Sequence, residues 1–235
     1  MSHQHTTLVG WRLWKRPLLA LLALGLAMTV TGCVSILGLG TTKGSGDVKT
    51  ASRAVSGFTR VQLSGAGILN IAQTGAESLT ISAEDNLLPL LTSDVSDGTL
   101  TLGVKQGQSI TPTKPITYTL TVKQLDAINL SGAATISAVN ITTDALAVSC
   151  SGAGTTTISG SAQSQSVTIS GSGSYNARDL KTADSTVKIS GIGNATVTAS
   201  QTLNATISGA GTVTYYGSPK VTQSVSGAGS ITQGK

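Results

Sequence analysis

The hydrophobic pattern along the chain is a repeat. In seven repeat copies an apolar residue or Cys stands directly before the Ser-Gly pair that opens the motif: Leu63, Leu130, Cys150, Ile169, Ile189, Ile207 and Val225. Two positions earlier a second column holds Val61, Ile128, Val148, Val167, Val187 and Ala205, and only Gln223 breaks it. Between the two columns lie Gln62, Asn129, Ser149, Thr168, Lys188, Thr206 and Ser224. This alternation has the period of a strand with one face buried. Five residues past each Ser it resumes, at Ile136, Thr156, Tyr175, Ala195, Val213 and Ile231, flanked by Ser, Thr and Asn.

The Ser-Gly pairs open a Ser-Gly-x-Gly motif at Ser64, Ser151, Ser170, Ser190, Ser208 and Ser226, with a degenerate copy (SGAA) at Ser131. From Ser131 the copies start 20, 19, 20, 18 and 18 residues apart. That period is one turn of a β-solenoid, in which coil stacks on coil and the inward positions form ladders. Each repeat reads as strand, glycine corner, strand and turn. A corner this sharp needs either positive φ or a close backbone approach, and Gly supplies both. A phosphate-cradling glycine loop would lead into a helix, whereas a strand follows every copy here. Upstream, residues 68–72, 79–83, 99–104 and 116–122 also alternate like strands. The interval from Ser64 to Ser131 has room for about three coils with a longer excursion at 84–91.

Ahead of the repeats the pattern changes. Residues 11–16 (WRLWKR) are basic, and residues 17–30 are an unbroken run without charge, too short for a spanning helix and right for a cleaved signal. The run ends in Val30-Thr31-Gly32-Cys33, which resembles the lipobox of bacterial lipoproteins, with Val30 where Leu is usual. The resemblance implies a signal peptide over 1–32 and acylation of Cys33, with the protein held to a membrane by its N-terminal lipid. Val34 stands where Asp commonly retains such proteins at the inner membrane, which favours the outer membrane of a Gram-negative bacterium. Residues 33–51 are rich in Gly, Ser and Thr and read as a lipidated N-terminus and flexible tether with a reach of about 25 Å. The domain is then expected over 52–235.

Charge and chemistry narrow the function. The formal charge is +5, but Arg12, Lys15 and Arg16 leave with the leader, so 12 basic residues face 10 acidic ones from Cys33 onward. No basic cluster with interleaved aromatics exists, which excludes nucleic-acid binding. The two histidines, His3 and His5, also lie in the leader, so the mature chain has no Ser-His-Asp or Cys-His system and no ordinary zinc site. Cys150 shares the column of Ile169 and Ile189 and reads as a buried small residue. Asp126, Asp144 and Asp184 precede their corners by five to seven residues, and coil spacing would bring Asp126 and Asp144 close enough for glycan cleavage. Outward Thr, Ser and Asn pairs such as Thr135/Ser137 and Thr155/Thr157 form a polar ladder, which also resembles ice-binding surfaces. The last copy, ending at Ile231, has no covering helix after it, so its edge is expected to support weak self-association.

Further pieces carry a family resemblance: residues 53–58 (RAVSGF), 84–89 (EDNLLP), the Ser-Gly-x-Gly corners and 216–219 (YGSP). The span from Ser52 to Ile231 resembles the head GIN domain, described as an auto-transporter adhesin head. The resemblance implies a right-handed parallel β-helix, often carried behind a lipoprotein signal, and it brings no catalytic motif and no cofactor. The expected function is that of a non-enzymatic, lipid-anchored cell-envelope protein presenting an interaction or adhesion surface to a protein or glycan. The alternative is a carbohydrate-active domain that binds or cleaves glycans along one face.

Overall fold

The computed structural model describes residues 40–235; Cys33 and the leader lie outside the described residues. The N-terminal strands are β1 (Thr41–Lys43), β2 (Val48–Arg53), β3 (Arg60–Leu63), β4 (Ala66–Gln73) and β5 (Ser78–Glu84). A short 3-10 turn (Leu88–Leu90) leads to β6 (Leu91–Ser96), β7 (Thr99–Val104), β8 (Ser109–Thr111) and β9 (Thr117–Val122). The repeat region follows as β10 (Ala127–Leu130), β11 (Ala133–Cys150), β12 (Thr155–Ile169), β13 (Ser174–Ile189) and β14 (Asn194–Ile207). It closes with β15 (Thr212–Tyr216), β16 (Lys220–Val225) and β17 (Ser230–Gln233).

From β10 onward the strands are parallel, and the sequence columns become physical ladders. Leu130 pairs with Cys150, Cys150 with Ile169, and the line continues through Ile189 and Ile207 to Val225. Val61 pairs with Ile128, and that column runs through Val148, Val167, Val187 and Ala205 to Gln223. As far as Ile207 and Ala205 these side chains, with Leu69, Ile136, Tyr175, Ala195 and Val213 from the second strands, fill the interior, whereas Val225 and Gln223 in the last coil are exposed. The fold is the parallel β-solenoid the period predicts. Among the described residues nothing pairs with the outer edges of β16 and β17.

The N-terminal third departs from simple stacking in two ways. First, coils do not follow chain order: β3 lies between β7 and β10, and β4 between β9 and β11. The earliest coil is therefore the second in the stack, and the four-residue link 123–126 carries the chain past it. Second, antiparallel strands cover this end, with β5 against β9, β2 against β5 and β6 against β7. The β6–β7 reversal is made by Asp97 and Gly98 at φ 49° and 70°, both left-handed, as a tight hairpin of right-handed twist requires.

The reading of residues 33–51 as a flexible tether needs correction over 41–51. Thr41–Lys43 pairs in parallel with β8, and Val48–Arg53 pairs with β5. Composition suggested a linker because no residue from 40 to 53 is buried. The segment is held by edge pairing and polar contacts rather than by apolar area.

Candidate functional site

Two surfaces merit consideration. The broader one is the outward side of the second strands. One column runs from Thr50 through Ser82, Thr117, Ile68, Thr135, Thr155, Ser174, Asn194 and Thr212 to Ser230. Its neighbour runs from Ser52 through Thr80, Thr119, Asn70, Ser137, Thr157, Asn176, Thr196 and Thr214 to Thr232. At about 4.8 Å per strand the face is roughly 43 Å long. It carries hydroxyls and amides, no charge, and a single aliphatic interruption at Ile68. The antiparallel cap extends the ladder beyond the repeats, which the repeat pattern alone did not reveal.

The second surface is a groove at the turn edge, where the link 123–126 crosses. Its widest part, about 480 Å³, is lined by Gln124, Asp126, Asp144, Leu146, Gln165 and Ser166 among others. Smaller clefts continue it past Gln73 and Lys123 and on to Phe58 and Glu77. Gln73 stitches this region: its Nε2 donates to the carbonyls of Lys123 (3.2 Å) and Thr142 (3.0 Å), and its Oε1 accepts from Thr142 N (2.9 Å). Glu77 pairs with Lys123 at 2.9 Å and accepts the amides of Gly57 and Phe58. The Lys123 contact, opposed in part by desolvation, holds the Glu77 carboxyl below its ordinary range.

The three aspartates do not form the row that coil spacing suggested. Ala127 pairs with Ala147, so Asp126 is level with Leu146, two positions beyond Asp144. Asp184 pairs with Ser164, which pairs with Ala145, and so it stands in a third column. The register shifts in the turns break the stacking. Asp126 and Asp144 still reach one cleft, but Asp126 Oδ1 accepts from Gln124 Nε2 (2.8 Å) and Thr143 Oγ1 (3.2 Å). Asp184 Oδ1 accepts from Thr202 Oγ1 at 2.5 Å. These are carboxylates serving as turn acceptors.

Cys150 lies in its ladder, 1% exposed, with Sγ 3.7 Å from Thr156 Oγ1. Burial pushes its thiol pKa up, away from the reactive thiolate. No cluster of three His, Cys, Asp or Glu residues occurs among the described residues. Sequence reasoning missed Gln73, Glu77, Lys123 and Gln124, because the crossing link belongs to no repeat and leaves no periodic trace.

Among solved structures, an adhesin-named protein from Bacteroides fragilis superposes with a TM-score of 0.68 at 23% identity, covering 81% of this chain and 99% of its own. A lipid-binding-named protein from Parabacteroides distasonis gives 0.49 at 22% identity, covering 83% and 100%. At 23% identity the Bacteroides fragilis likeness shows the fold alone. No curated protein matches the chain. Residues 57–219, which take in the solenoid coils and most of the corner glycines described above, match the family described as "putative auto-transporter adhesin, head GIN domain", and the chain belongs to that family.

Proposed function

We propose that the protein is a non-enzymatic, lipid-anchored component of the cell envelope whose β-solenoid presents the uncharged hydroxyl-and-amide face to a macromolecular ligand. Membership of an adhesin-named family supports an envelope role. The observation that carries the reading is the face itself, continuous from Thr50 to Ser230 and regular where the coils repeat. Such a surface suits a glycan or a neutral protein face, because many weak hydrogen bonds add along a repeat. The anchor would be acylated Cys33, at the outer membrane; no helix among the described residues is long and apolar enough to cross a membrane.

Glycan cleavage is the second reading, favoured by Asp126 and Asp144 meeting in one cleft. A glycan array with the full chain in detergent, read beside reducing-sugar release, separates the two. Thr157→Lys and Thr196→Lys place charge on the outward face without touching the core. They are expected to abolish binding at unchanged melting temperature, with no sugar released. Binding that survives both, and is lost with Asp144→Asn, moves the site to the groove. Sugar release lost in Asp126→Asn overturns the non-enzymatic reading.

A further inference from the structure

Three consecutive side chains after β5 grip the N-terminal segment. Glu84 is wholly buried, yet among the described residues it makes no ion pair. Its Oε1 accepts from Gly46 N (2.7 Å) and Thr113 Oγ1 (2.5 Å), and its Oε2 from Thr113 N (2.9 Å) and Lys114 N (3.3 Å). Asp85 Oδ1 accepts from Ser45 Oγ at 2.6 Å, and Lys49 approaches its other oxygen at 3.5 Å. Asn86 accepts from Ser45 N (3.0 Å) and donates to the Lys43 carbonyl (2.8 Å). A Cβ on Gly44 would overlap the Glu84 carboxylate, so any other residue there would have to displace it from its hydrogen bonds. At the far end of the segment Arg53 Nη2 donates to the Leu88 carbonyl at 2.9 Å.

The gripped segment contributes almost nothing to the core. None of residues 41–53 is buried, Val48 is 49% exposed, and β2 has only β5 for a neighbour. An element fixed by edge hydrogen bonds and a few polar contacts lies at the low end of local stability, while the coils lie at the high end.

We propose that residues 41–53 are a detachable strap, latched by Glu84, Asp85 and Asn86, that opens while the coils stay closed. Opening frees 13 residues, about 45 Å of extended chain. On the reading that Cys33 carries the lipid, the strap is a stowed part of the tether, and its release lets the coils stand further from the membrane. The latch is built from carboxylates, and hydrogen bonds to the charged forms, led by Thr113 for Glu84 and Ser45 for Asp85, lower both pKa values. Groups with lowered folded pKa stabilise above the ordinary carboxylate range, and that contribution is lost as pH falls through the folded values. The other charged residues around the latch are Lys43, Asp47, Lys49, Arg53 and Lys114, of which Lys49 alone pairs with it. Acid therefore opens the strap first.

Amide hydrogen exchange on the full chain in detergent tests this without reference to any ligand or to acylation. The amides of Ser45, Gly46 and β2 are expected to exchange as one group, faster than those of β11 to β14. Asn86→Ala, at an exposed position, is expected to speed the strap group about tenfold and leave the coil amides unchanged. Lowering the pH below the ordinary carboxylate range, with intrinsic rates corrected, is expected to do the same. Strap amides exchanging at the coil rate, no effect of Asn86→Ala, or equal acceleration of strap and coils overturns the proposal. Loss of palmitate labelling in Cys33→Ala is a separate measurement, so the anchor can fail while the strap stands.

Discussion

At the corners the decisive quantity is the space a single methyl would need. The first corner glycines stack on one another: a Cβ on Gly152 would fall inside the Gly132 carbonyl, on Gly171 inside that of Gly152, and on Gly191 inside that of Gly171. Their φ angles are ordinary, so it is close approach that excludes a side chain here. Positive φ applies instead at Gly65 and Gly67, where the earliest coil turns. Gly152→Ala gains a little from a stiffer unfolded chain, up to about 1 kcal/mol, and loses more to a clash with backbone that cannot rotate away. We expect a net loss of about 2 kcal/mol in urea unfolding. Gly173→Ala, whose Cβ would sit 3.2 Å from the Gly154 carbonyl, should cost distinctly less. At Cys150 the ladder wants a small apolar group: Cys150→Val should be nearly neutral, whereas Cys150→Asp buries an unpaired charge and should unfold the coil. A thiol reagent should label native Cys150 slowly, since burial raises its pKa.

Strands make clear what was legible beforehand and what was not. From β10 on, each strand pairs with a near copy of itself, so register is written into the spacing of the columns and the sequence could be read directly. Between Ser64 and Ser131 the same alternation served strands of both directions, and alternation does not say which strand pairs with which. Two local signals were there to be weighed. Asp97-Gly98 announced the hairpin, and the polar character of 84–86 announced a latch rather than a loop. The carboxylate row failed for a related reason: turns in successive coils differ in length, so equal distance from a corner does not mean equal position at the edge. The crossing link offers its own tests. Gln73→Ala removes three hydrogen bonds between coils and should cost about 1–2 kcal/mol in urea unfolding. Glu77, whose pKa is lowered by Lys123, stabilises above the ordinary carboxylate range and loses that contribution in acid. Glu77→Gln should accordingly flatten the fall of melting temperature with pH on the acid side, and an unchanged slope would show that the ion pair contributes nothing.

For the whole molecule the anchor and the stack are separate questions. Cys33→Ala should abolish incorporation of a clickable palmitate and release the protein from the membrane fraction, because nothing among residues 40–235 has the length and apolarity of a spanning helix. Retention of the label in the alanine variant would sink the lipoprotein reading and leave the solenoid untouched.

The placement of the earliest coil between two later ones has a consequence for how the protein is made. A chain that emerges N-terminus first presents β3 and β4 long before β7, β9, β10 and β11 exist, and these are the strands that flank them on both sides. The first coil therefore waits with both edges open until β7 and β9 have appeared, and with one edge open until about residue 139. Growth can then proceed in order of synthesis, since every later coil lands on one already in place. Nascent chains arrested before β10 should be cut by protease throughout 60–122, and those arrested after β11 should resist over the same span. Assembly of this solenoid starts from its second layer, and a release factor for that start is the synthesis of the strand that closes it.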